Sequence, residues 1–149
     1  APSRRTGGVG DKRRMHAMRL LTQKVDSVLA VQPDAKVLVM GDFNDTPAQD
    51  AISQTIGKRL CNLMDTAQGS YKYKGEWLLF DQFMASPALL TGAGFVVKNK
   101  QGYVYNAHFL LQPDETYMGY KPFRTYVGPR YLGGYSDHLP IYLQLVLGY

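Results

Sequence analysis

The stretch Lys36-Val37-Leu38-Val39-Met40 is a nearly continuous apolar run that passes directly into Gly41-Asp42-Phe43-Asn44. A short run of this kind, with no polar face, reads as a strand covered on both sides and placed centrally in its sheet. The preceding segment supplies a cover. Asp11 can cap a helix whose apolar positions recur as Met15, Met18, Leu21, Val25, Val28 and Leu29, one buried face at helical spacing. Gln32-Pro33-Asp34 ends that helix, because the residue before a proline avoids the helical region.

Beyond the strand, Thr46-Pro47 offers a cap and a first-turn proline for a short helix through about Ile56. Glu76 to Ala85 reads as a strand. Phe95 to Lys98 and Tyr103 to Leu111 read as a hairpin turning at Lys100-Gln101-Gly102. Leu139 to Leu147 is the last strand, with Leu139, Ile141, Leu143, Leu145 and Leu147 on one face and Tyr142, Gln144 and Val146 on the other. The leucine face requires a partner, either in this chain's own second layer or outside it. The order helix, strand, helix, strands indicates a mixed α/β architecture with helices on one face of the sheet. No linker or repeat divides the chain, so residues 1–149 form one domain.

Composition narrows function only loosely. No apolar run approaches the roughly 20 residues that cross a bilayer, and the opening Ala1-Pro2-Ser3-Arg4-Arg5 lacks the apolar core of a secretory signal. A formal charge of +5 favours anionic partners and permits nucleic acid. The single cysteine, Cys61, lies among Leu60, Leu63 and Met64 and reads as a buried thiol. Nothing in the sequence fixes a compartment.

The residues that carry chemistry fall in three places. Asp42 and Asn44 project together at the carboxyl end of a strand while Phe43 points into the core, a common site position in α/β proteins. A carboxylate there can hold a water, and a neutral amide can donate to an oxyanion. Taken alone, Gly-Asp-x-Asn reads more readily as a loop whose side chains bond nearby amides. Gly134-Tyr135-Ser136-Asp137-His138-Leu139-Pro140 sets a carboxylate beside an imidazole at the entrance of the last strand. Asp81, in Leu78-Leu79-Phe80-Asp81-Gln82-Phe83, is a charge in an apolar strand. If buried it needs a partner, and His138 would satisfy it, with the negative charge favouring the protonated ring.

In order and spacing, Gly41-Asp42-Phe43-Asn44, Phe80-Asp81-Gln82-Phe83-Met84-Ala85-Ser86 and Ser136-Asp137-His138-Leu139-Pro140 resemble the three carboxy-terminal motifs of the endonuclease/exonuclease/phosphatase superfamily. The opening Pro2 to Gly8 resembles the segment that follows an Asn-x-His motif in bacterial members, and Lys121-Pro122-Phe123-Arg124-Thr125-Tyr126 with Gly133-Gly134 match that branch. The resemblance implies half of a four-layer α/β/β/α sandwich with a mixed, mostly antiparallel sheet. It also implies hydrolysis of phosphodiesters or phosphomonoesters with magnesium or manganese. Carried over by motif, Asp42 would position the attacking water, Asn44 would hold the phosphate, and His138 would bind or protonate a phosphoryl oxygen. Asp81 would orient that ring, Asp137 would be the metal residue, and Arg4 would lie near the substrate.

The family's amino-terminal half, with its metal-binding glutamate, has no counterpart here. The chain is therefore expected to be a fragment that associates with the missing half or with a second copy of itself. Nucleases, inositide phosphatases and sphingomyelinase-like enzymes share these motifs, so the substrate stays open, and a non-catalytic assembly module is the alternative. Arg4, Arg5, Lys12, Arg13 and Arg14 could contact phosphates but read more readily as a solvated helix end. The tyrosines from Tyr103 to Tyr135 read as strand residues before they read as base-stacking platforms, and the methionines read as core.

Overall fold

A computed structural model describes residues 8–148. It is a mixed α/β structure with few helices and several small antiparallel sheets. Helix α1 spans Gly8–Val31, and strand β1 follows at Leu38–Asp42. Helix α2 is a single turn at Asp50–Ser53, continued by a 3-10 turn at Ile56–Lys58. Strands β2 (Cys61–Asn62), β3 (Tyr71–Tyr73), β4 (Glu76–Leu78) and β5 (Asp81–Ala85) come next, then the long strand β6 (Gly94–Val104). Two small ribbons follow, β7 (Leu111–Pro113) with β8 (Tyr120–Pro122) and β9 (Tyr126–Val127) with β10 (Arg130–Tyr131). Strand β11 (Ile141–Gly148) closes the fold.

Strand β5 is the middle of the sheet, flanked by β1 and β2, and its alternating side chains divide the interior in two. Met84 faces α1 and α2 in a core with Met18, Val25, Phe43, Ile52 and Ile56. Phe83 and Ala85 face the other way, into a core with Val97 of β6 and half-buried Ile141 and Leu143 of β11. Helices, three-stranded sheet and the β6–β11 ribbon thus succeed one another as layers. The approach of the last two is close. A β-carbon on Gly102 would stand 2.8 Å from both Met64 Sδ and Phe83 Cδ2, so only glycine lets β6 cross here.

Several boundaries differ from the sequence expectation. The chain is already helical at Gly8, so Asp11 lies in the first turn of α1 and bonds Arg14 instead of capping. Strand β1 is an edge of its sheet, not the centre, because β5 takes the middle place, and Met40 halfway along β1 is exposed. Thr46-Pro47 opens a turn, closed by the Gln49 N–H on Thr46 O (2.9–3.0 Å contacts on both sides), before α2 begins. Glu76 to Ala85 is two strands, since β4 turns back on β3 while β5 joins the main sheet.

The expected hairpin around Lys100 is a bulge inside β6, which pairs with β11 on both sides of it. Asn99 and Lys100 take left-handed backbone there, φ 57° and 54°, so the turn residues bend one strand without reversing it. Residues 105–107 lie outside any strand. The leucine face of β11 is covered by this chain at Leu139, Ile141 and Leu143, whereas Leu145 and Leu147 remain 48% and 63% exposed. Cys61 is exposed, not buried, and Met118 is exposed with Met40 while Met18, Met64 and Met84 are core. Among the described residues, no helix is long and apolar enough to cross a membrane.

Candidate active site

The antiparallel register of β1 and β5 places Asp42 directly opposite Asp81 at the rim of the sheet. Gly41 precedes it at φ 141°, a conformation that side chains with a β-carbon rarely adopt. Phe43 turns inward, and its N–H donates to Phe80 O at 2.9 Å, which ties the motif to β5. Asn44, left-handed at φ 52°, folds back so that its backbone N–H donates to Asp42 Oδ1 at 2.7 Å and its Nδ2 to Oδ2 at 2.9 Å. The two side chains thus share one side of the rim.

His138 reaches the same rim from the chain preceding β11. Its N–H donates to Ser136 Oγ at 3.0 Å, and its ring Nδ1 lies 2.6 Å from Asp81 Oδ2. Burial alone would lower the imidazole pKa. The hydrogen bond and charge of Asp81 outweigh it, with Asp42 and Asp137 adding to the effect, and the net shift is upward from 6.5. The charged form of the ring is therefore favoured, and with Nδ1 turned to Asp81 the other nitrogen, Nε2, is the one that can meet a ligand.

Below the rim lies a buried polar network that sequence reasoning did not find. Gln82 is fully buried one residue after Asp81; its Nε2 donates to Asp45 O at 2.7 Å, and its Oε1 accepts from Asn62 Nδ2 at 2.7 Å. Asp45, next to Asn44, accepts from Arg14 Nε at 2.9 Å, with side chains only 3% and 5% exposed. Arg14 is thus a structural buried charge and no part of a solvated helix end. The signal was available: Arg14 stands at helical spacing with Met18, Leu21 and Val25, a charge on the apolar stripe.

Asp42, Asp81 and His138 offer ligand atoms within 4.8 Å of one another, the chemistry of a small cation site. Asp137 is exposed, acts on His138 through its charge, and is not in that group. Arg4 lies outside the described residues. The tyrosines form ring contacts, Tyr103 with Tyr142 at 5.3 Å and Tyr126 with Tyr131 at 5.3 Å, across paired strands.

The model of the endonuclease/exonuclease/phosphatase family matches residues 1–146. Among solved structures the chain is similar to a mannosyl-6-phosphatase from Bacteroides thetaiotaomicron VPI-5482, at 19% identity and a TM-score of 0.54 over 91% of this chain and 46% of that one. It is likewise similar to an endonuclease/exonuclease/phosphatase family protein from Bacteroides thetaiotaomicron, at 18% identity and a TM-score of 0.54, covering 90% of this chain and 45% of that one. The chain spans about half the length of these structures. No curated protein matches it.

Proposed function

Because the chain belongs to the endonuclease/exonuclease/phosphatase family, we propose that it supplies the carboxy-terminal part of the active site of a divalent-metal-dependent phosphoesterase. The observation that carries this reading is the meeting of Asp42, Asn44, Asp81 and His138 at one rim, with the imidazole bonded to Asp81. In this reading Asp42 positions the attacking water. Asn44, its amide bonded to Asp42, holds the phosphate beside that water. Asp81 aims the His138 ring and favours its charged form, in which Nε2–H meets charge developing on the phosphoryl group.

The carboxylates of Asp42 and Asp81, close to each other and to His138, suit a magnesium or manganese ion, which takes oxygen ligands and keeps several waters, and Asp137 adds negative charge nearby. When bound, such an ion would offset negative charge on the phosphate. The complete unit would be the four-layer sandwich, formed with an amino-terminal half. The open edge of β11, with Leu145, Leu147 and Phe95 exposed beside it, and the half-length match to the relatives support association at this surface. Monomers alone in sedimentation at micromolar concentration would count against it.

The substrate is a phosphate ester, and the phosphatase among the structural neighbours makes sugar phosphomonoesters the first to assay. The test is turnover of sugar phosphates, DNA, RNA, phosphoinositides and sphingomyelin by the reconstituted protein with magnesium or manganese. His138→Ala is expected to lower turnover by about 10²- to 10⁴-fold with the fold intact. Wild-type rates in that variant would remove the assignment.

A further inference from the structure

The three motifs leave unexplained what holds the imidazole against Asp81, and the segment that does so lies between them in sequence. Ser70 is fully buried, and its hydroxyl accepts the N–H groups of Phe80 at 3.3 Å and Asp81 at 3.1 Å. Its carbonyl accepts the N–H of Leu139 at 2.7 Å, and Tyr71 forms a backbone bridge with His138. One dipeptide thus ties the strand of the acid to the segment of the histidine. The Tyr71 ring lies 4.8 Å from the imidazole, tilted by 33°, and stacks on Phe80 at 5.4 Å and 18°.

We infer that Tyr71 is a positioning residue for His138, its ring forming with Phe80 the wall against which the imidazole is aimed at Asp81. An aromatic face attracts a cation laid over it, so this wall favours one ring orientation electrostatically as well as sterically. The wall is anchored from behind. Lys72, pointing to the opposite side of β3, is buried with its Nζ 3.2 Å from Asp114 Oδ2 and 2.9 Å from Met118 O, while β4 pairs along the other edge. Tyr71 therefore cannot retreat without breaking a buried ion pair.

The inference rests on the phosphoesterase reading only for its kinetic consequence. In the isotopically labelled chain, Tyr71→Phe is expected to keep the ring-current displacement of the His138 ring protons. Tyr71→Met, similar in bulk but without a ring, is expected to abolish it while amide dispersion stays native. Tyr71→Leu poses the same question should the methionine variant not fold. In the reconstituted protein Tyr71→Met is expected to lose about 10- to 100-fold in kcat with KM near the wild-type value, and Tyr71→Phe to restore it. Unmoved His138 ring protons in a folded Tyr71→Met variant overturn the inference, as does a loss confined to KM. The magnetic resonance measurement needs no turnover, so an inactive wild-type protein would refute the phosphoesterase reading while this inference is still decided by the shifts.

Discussion

Arg14→Met removes a charge from the base of the site while keeping bulk at a position that is 3% exposed. At 2.9 Å, with an effective dielectric of about 20, two unit charges attract by about 6 kcal/mol. Desolvation of both groups offsets most of that gain, so the pair itself contributes little net stability. Removing one partner is different, because Asp45 then stays buried beside α1 without its guanidinium. The expected loss is about 3–5 kcal/mol. With a slope of about 2 kcal/mol per molar urea, the unfolding midpoint should fall by about 2 M. Asp45→Asn should cost less, and the double variant Arg14→Met with Asp45→Leu should recover much of the loss, since no buried charge remains. Double-mutant analysis of urea unfolding reads all three values. A single Arg14→Met variant within about 0.5 kcal/mol of wild type would refute the claim that this charge pair supports the rim.

Gly102→Ala places a methyl 2.8 Å from Met64 Sδ and Phe83 Cδ2, and should cost about 1–3 kcal/mol in the same unfolding assay; a neutral result would mean that the ribbon and sheet are not in close contact. Burial would raise the Asp114 pKa, but Lys72, Lys121 and the amides of Thr116 and Tyr117 bring it down to about 2. Its contribution is present above pH 3.8 and is lost as pH falls toward about 2, and Asp114→Asn should remove that part of the acid unfolding curve. The His138 shift has the opposite sign. Its contribution is full below pH 6.5 and fades as pH rises through the higher folded value, so His138→Gln should flatten the dependence of the urea midpoint on pH above 6.5.

Much of the rim was legible because its residues sit at strand ends, where period-2 alternation fixes direction. Asp42 at the rim with Phe43 inward follows alternation, as do Ile141 and Leu143, whereas Asn44 reaches the same side by a left-handed turn back onto Asp42. The neighbouring order of strands was not legible. β1 and β5 are both five-residue strands with an acidic residue at one end, and nothing local says which has two neighbours. At Asn99 and Lys100 the sequence is ambiguous, because left-handed residues serve a bulge as readily as a hairpin, and the choice is made by β11, some forty residues away. Cys61 was misplaced for a similar reason, since alternation on a two-residue strand sends Cys61 outward while its neighbours Leu60 and Leu63 are buried.

Strand β5 shows why the residues that support the site escape motif reading. In five positions it sets Asp81 at the rim, Gln82 in the polar network, Phe83 and Ala85 in one core and Met84 in the other. The carboxylate that orients His138 is thus placed by packing on both faces of the sheet and by hydrogen bonds to Asn62 and Asp45. These partners come from different stretches of chain, so no short pattern contains them. The position of Asp81 depends on all of them together, because a close-packed interior transmits displacement instead of absorbing it. The candidate site at the rim is a few side chains, but its geometry belongs to the whole cross-section beneath it.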